Sequence, residues 1–178
     1  GSAALVLADG HGRGRGVITR AMQGRVCVIT GATSGIGRVT AHELARRGAT
    51  LALVCRDRGR GEETRADIQG ATGRTDVTLF LADLASQADI RRVAAELLAR
   101  FPRIHVLVNN AGVVNLRHTK TVDGIETVFA VNHLAYFLLM HLLLERLRAS
   151  APARIVNVAS DAHRFGRLVA DDEKRALQ

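Results

Sequence analysis

Short apolar runs at residues 26–30, 50–55, 77–81, 104–109 and 154–159 alternate with amphipathic segments at 35–47, 58–69, 86–101 and 121–149. The runs are near-continuously apolar, as in strands buried on both faces. The third segment is the clearest helix. Its Ile90, Val93, Ala94, Leu97 and Phe101 fall on one face, and Ser86 followed by Asp89 has the form of a capping box. Strands and helices in alternation predict an α/β domain with a parallel sheet covered on both sides. Residues 1–21 break the pattern, with the low-complexity run GHGRGRG at 10–16. The expected organisation is a flexible basic leader over 1–21, a tag scar or upstream translation ahead of a natural start at Met22, then a folded domain over 22–166 and a polar tail over 167–178. A leader that resisted limited proteolysis would count against it.

The first strand runs straight into TGATSGIG, residues 30–37. A strand, a glycine turn and a helix in that order build a phosphate site. Residues without Cβ let backbone N–H groups approach a pyrophosphate, and the helix N-terminus adds its positive end. Gly31 would allow the turn, Gly35 the close approach and Gly37 tight packing of the helix on the strand. A purely structural glycine turn is the competing reading, and the strand–turn–helix context favours the nucleotide. The adenosine ribose should meet the end of the second strand. There the chain has Cys55, Arg56 and Asp57 where an acid for both ribose hydroxyls is usual. Arg56 could grip a 2′-phosphate, which favours NADP(H) over NAD(H), or it could be an ordinary surface arginine.

Composition narrows the classes. Hydrophobic residues make up 47% of the 178, enough for a core. The formal charge is +8, and of the 25 basic residues only Lys120 and Lys174 are lysine. These arginines are scattered rather than gathered into a stripe, and aromatics are 3%, so a nucleic-acid partner is not expected. Cys27 and Cys55 sit inside apolar runs with no metal or disulfide spacing, which predicts buried thiols, no metal site and a cytoplasmic setting. The leucine-rich stretch near 134–144 is bounded or broken by His133, His141 and Glu145, and reads as too short and too polar to span a membrane.

Further signatures follow the glycine turn in order: Asp83-Leu84, Asn109-Asn110-Ala111-Gly112, Val131-Asn132, and Asn157 to Ser160 as NVAS. Together they resemble the short-chain dehydrogenase/reductase family over residues 25–166. Cys55-Arg56-Asp57, VNHL at 131–134 and NVASDAH at 157–163 are similar to its retinol-dehydrogenase-like branch, which often favours NADP(H). The resemblance implies a Rossmann-like doubly wound sheet in the order 3-2-1-4-5, with the family's strands 6 and 7 absent. It implies cofactor contacts at Gly31, Thr33, Ser34, Gly35, Ile36, Gly37 and Arg56, with Asp83 and Leu84 beside the adenine. Asn110, Ala111 and Gly112 would line the ribose side. Asn132 would distort the long helix locally and hold a relay water. Ser160 would polarise a substrate carbonyl.

The family's acid/base pair is a tyrosine with a lysine four residues later, beyond the serine. The one tyrosine of this chain, Tyr136, precedes Ser160 and has Met140 four residues on, so its expected job is packing. The resemblance to the family fades after Gly166. The expectation is therefore an oxidoreductase of carbonyl or alcohol substrates, cut short and inactive as it stands. The alternative is a catalytically silent NADP(H)-binding module that senses the cofactor or pairs with an intact homologue. The fifth strand and the helix at 121–149 would leave apolar surface open to self-association. A stable monomer in light scattering at high concentration would contradict that.

Overall fold

In the computed structural model, residues 21–115 and 117–161 are described. The proposed leader, all but Ala21, and the tail at 167–178 lie outside them. Five parallel strands, β1 (Val26–Thr30), β2 (Thr50–Cys55), β3 (Val77–Leu81), β4 (Val106–Asn109) and β5 (Arg154–Asn157), form one sheet in the order β3-β2-β1-β4-β5. Between them run α1 (Gly35–Arg46), α2 (Arg58–Thr72), α3 (Gln87–Arg100) and the long α4 (Thr127–Ala149). The expected fold class and strand order are both present.

The near-continuous apolar strands have the reason the sequence suggested. Side chains alternate across a strand, so each strand feeds two cores. Cys27, Ile29, Leu51, Leu53 and Val108 pack with Ala41 and Ala45 of α1 and Ile68 of α2. Val28, Ala52, Val54 and Leu107 pack on the other face with Val93 and Leu97 of α3 and Leu139 and Leu143 of α4. Both thiols are buried and unbridged, and burial pushes the Cys27 thiol up to about 12.

Several boundaries differ from expectation; α2, for one, runs on to Thr72 instead of ending at 69. β4 begins at Val106 rather than at 104: His105 N still donates to Val26 O and its carbonyl accepts from Arg154 N, but side chains take the bonds of Ile104 N and Val26 N. Ser150 Oγ accepts from Ile104 N, and the His105 imidazole Nδ1 accepts from Val26 N at 3.0 Å. β5 ends at Asn157 rather than 159, where its partner β4 also stops. Helix α4 starts at 127, not 121. Residues 121–124 are a turn closed by Gly124 N on Thr121 O, with Gly124 at φ +75°, and the Glu126 carboxylate caps the helix by accepting from Val128 N and Phe129 N.

The leucine-rich segment, expected to be too short and too polar to span a membrane, passes a test of length and composition that a buried core helix passes as well. Thr127–Ala149 is one 23-residue helix, long and apolar enough by length and composition. Its buried stripe of Ala135, Leu139, Leu143 and Leu147 joins the sheet core with α3. Its opposite side leaves Phe129 and Phe137 exposed. At the sheet edge, among the described residues, β5 leaves Ile155 partly exposed.

His105 gives the fold a pH dependence. Burial first, and the charges of Arg25 and Arg103 after it, hold its imidazole below the ordinary 6.5. Below that value the unfolded chain takes up a proton that the folded chain refuses. The stabilisation is therefore complete above 6.5 and is lost as pH falls toward the lowered folded value. The urea midpoint should be lower at about pH 5.5 than at about pH 7.5, and the difference should shrink in His105→Asn. Equal midpoints at the two pH values in the wild type would rule this out.

Candidate dinucleotide site

The C-terminal ends of β1 and β4 carry the site. At Gly31, φ is +67°, and a Cβ there would lie 2.7 Å from Ala111 Cα. Gly37 tucks its Cα against the Gly31 carbonyl and the Asn110 amide, so the helix packs on the turn itself as well as on the strand. Gly35 has φ +51° and faces open space, with nothing within 4 Å of a would-be Cβ. Each of the three glycines therefore has its own reason, and that of Gly35 is room for something outside the protein.

Helix α1 is left unfinished at its start. Ser34 is the N-cap residue but its side chain makes no capping bond, and the first turn has no acid. By contrast, Asp57 caps α2 by accepting from Arg60 N, and Ser86 caps α3 by accepting from Asp89 N. Three of the first four N–H groups of α1 thus lack an acceptor in their own helix, and the dipole end is uncompensated. Ser34, Gly35 and Ile36 are exposed, while Ala32 and Gly37 beside them are buried. A helix start of this kind can seat an anion. Thr33 lies half-buried in the same turn.

At the end of β2, Arg56 is exposed. Asp57 next to it is occupied as the α2 cap, with Oδ1 at 2.9 Å from Arg60 N. The carboxylate that left the ribose reading open at the sequence level therefore has a structural task. After β3, the Asp83 carboxylate accepts from Ala85 N at 3.0 Å and Asp83 N donates to Asp89. Asp83 thus shapes the turn into α3, with Leu84 buried beside it. Only half of the expected capping box forms. Asp89 does not reach back to Ser86. It accepts from Asp83 N and then from Arg92, and these bonds hold its carboxyl below the usual carboxylate range.

The 110–113 strap is fastened on both sides. Thr30 Oγ1 accepts from Asn110 N and Ala111 N at 2.9 and 3.0 Å, and Asn110 Nδ2 donates to the carbonyls of Thr30 and Gly31. On the other side α4 contains a π turn at Ala130–Leu134, the local distortion expected at Asn132. From it, Asn132 Oδ1 accepts from Val113 N and its Nδ2 donates to Val113 O. One turn later the Tyr136 hydroxyl donates to Ala111 O at 2.8 Å. Burial pushes this phenol up to about 12, away from proton transfer at neutral pH. Tyr136 thus does more than pack. Sequence reasoning also passed over Thr30, although it opens the quoted motif.

Asn109 is fully buried and donates to Asn157 Oδ1, while its own Oδ1 meets no donor among the described residues. Ser160 follows β5 in a separate unit, where it is exposed. A groove of about 260 Å³ lined by Leu84, Ile90, Ile125, Leu134, Phe137 and Leu138, among others, shares only Leu84 with these site residues.

Comparison with known proteins agrees with this fold. The family model described as short chain dehydrogenase matches residues 25–170. Retinol dehydrogenase 11 of Homo sapiens is 50% identical over 155 residues, covering 86% of this chain and 49% of that protein. An uncharacterized protein from Mycobacterium paratuberculosis superposes with a TM-score of 0.72 at 38% identity, over 85% of this chain and 52% of the other. A short chain dehydrogenase from Shigella flexneri complexed with NADP gives 0.72 at 28% identity, over 84% and 64%. The chain spans about half the length of the curated relatives it matches.

Proposed function

This chain belongs to the short-chain dehydrogenase family of oxidoreductases, and from that premise we propose that it forms the NADP(H)-binding half of an enzyme acting on a carbonyl or alcohol. The observation that carries the reading is the uncapped start of α1 over three glycines, each with a separate steric reason. The residues fit a dinucleotide. The α1 amides hold the pyrophosphate, Arg56 meets the 2′-phosphate, and the strap at Asn110, Ala111 and Gly112 lines the ribose side. When bound, the nicotinamide supplies or accepts the hydride. Asn132 fixes the strap, and by the family resemblance alone Ser160 would polarise the substrate oxygen.

The NADP(H) reading is supported by the relative solved with NADP and by the engagement of Asp57 as a helix cap. Arg56→Ala should weaken NADPH about tenfold or more, since a charge-assisted contact to phosphate is lost, and leave NADH nearly unchanged. Wild-type chain that binds NADH more tightly than NADPH would sink this assignment.

The 178 residues are proposed to bind cofactor without turning over substrate. Their one tyrosine is tied to the strap with its phenol raised to about 12, and no lysine follows it by four residues. The acid/base pair would then come from residues outside these 178, by truncation of a working enzyme. The second reading is a silent module that senses NADP(H) or pairs with an intact homologue, and the exposed Phe129 and Phe137 on α4 offer a face for self-association. NADPH titration with a stopped-flow search for hydride transfer tests the silence, and turnover at ordinary enzymatic rates would refute it. A Tyr-x-x-x-Lys encoded past Gln178 would favour truncation over the module. Two buried, unbridged thiols suit a reducing compartment, and a cytoplasmic location is proposed with them, to be checked by cell fractionation.

A further inference from the structure

We propose that Tyr136 is a positioning residue of the dinucleotide site, one that sets the direction in which the Gly112 N–H points. The inference rests on reading the glycine turn as a dinucleotide seat. The Tyr136 hydroxyl donates to Ala111 O at 2.8 Å, and its ring is half-buried within α4. The peptide from Ala111 to Gly112 is trans, since the one cis bond among the described residues is Ala151–Pro152. In a trans peptide the carbonyl and the following N–H point in opposite directions. Holding the Ala111 carbonyl toward α4 therefore aims the Gly112 N–H away from it. Gly112 is exposed, and its N–H meets no acceptor among the described residues. The strap cannot turn as a whole, because Thr30 Oγ1 accepts from Ala111 N and the Ala111 backbone lies against Gly31. Asn132 fixes the next peptide at Val113. The Ala111–Gly112 peptide is the link between these anchors, and the phenol holds its carbonyl. The donor it presents suits a ribose oxygen on the nicotinamide side.

Tyr136→Phe removes the hydroxyl and keeps the ring. Two ligands separate positioning from folding: NADPH, which reaches the strap, and 2′,5′-ADP, which carries the adenosine and its phosphates but no nicotinamide ribose. Titration of the full chain should show NADPH weakened about three- to tenfold in Tyr136→Phe, as for loss of one ordered hydrogen bond, with 2′,5′-ADP within about twofold of wild type. Unchanged NADPH affinity would overturn the proposal. A parallel loss for both ligands would also overturn it, since the phenol would then serve the fold alone. If the wild type binds neither ligand, the dinucleotide reading fails and this inference with it. If the wild type binds both, the dinucleotide reading holds, and the response of Tyr136→Phe then bears on the phenol alone.

Discussion

Gly37→Ala is expected to abolish measurable NADPH binding at concentrations that saturate the wild type, and to cost about 2–3 kcal/mol of stability. The added methyl would sit on the Gly31 carbonyl and the Asn110 side-chain amide, closer than real side chains come. Neither neighbour can step aside. Gly31 N is bonded to Val54 O in the adjoining strand. The Asn110 amide is engaged with the carbonyls of both Thr30 and Gly31. Either α1 must move off the turn or the turn must leave the strap, and both moves spoil the seat where the α1 amides converge. Gly35→Ala is the informative contrast. Its Cβ meets nothing, so the fold bears only the strain of φ +51°, about 1 kcal/mol. Yet the methyl occupies the space through which a pyrophosphate would approach. Urea denaturation with NADPH fluorescence titration should find Gly35→Ala nearly as stable as wild type but impaired in binding, and Gly37→Ala impaired in both. Wild-type affinity in Gly37→Ala would show that the dinucleotide does not sit on this turn.

What the sequence made legible is what neighbouring residues decide. The strand runs, the one-sided helix expected at 86–101, the cap at Ser86 and the glycine turn each depend on a few consecutive positions, and each is found, with bounds that shift by up to two residues at β4, β5 and this helix. The sheet order could be expected because the motifs carried a family resemblance, not because apolar runs reveal their partners. Where the reading fell short, distant residues decide. At the start of β4, Ile104 N is bonded to the Ser150 hydroxyl, 46 residues away, and Val26 N to the His105 ring. The start of α4 was misplaced because Thr121 to Glu126 is polar enough for a first helical turn, while a left-handed Gly124 folds it back. Tyr136 read as packing because it sits one helical turn after Asn132, before Ser160 and without a lysine four residues on. Its hydroxyl partner lies 25 residues earlier and could not be inferred from periodicity. Asp57 is the intermediate case. Its place at the end of the second strand left a ribose contact open, and the bond to Arg60 N shows a helix cap instead.

Thr30→Val should cost about 2 kcal/mol of stability although it changes the volume of the side chain little, and it should weaken NADPH binding as well. Thr30 is 1% exposed, and its Oγ1 is the shared acceptor for two consecutive backbone donors, Asn110 N and Ala111 N. Valine keeps the β-branched shape that suits the strand but leaves both N–H groups without an acceptor. Each unmet group costs about 1–3 kcal/mol where water is excluded, and gained apolar burial offsets part of the sum. The threonine contact to Val108 O is 3.5 Å long and adds little. Stability and binding are coupled here because the same bonds hold the strap against the glycine turn, with the α4 side retained through Asn132 and Tyr136. Thr30→Ser keeps the oxygen and should keep most of both properties. Urea midpoints with an unchanged slope isolate the stability term. If Thr30→Val proves as stable as Thr30→Ser, the two backbone donors must find water in its place, and the hydroxyl would not be the joint between sheet and strap. The hydrogen bonds at 2.9 and 3.0 Å, made at a side chain closed to solvent, argue for the joint.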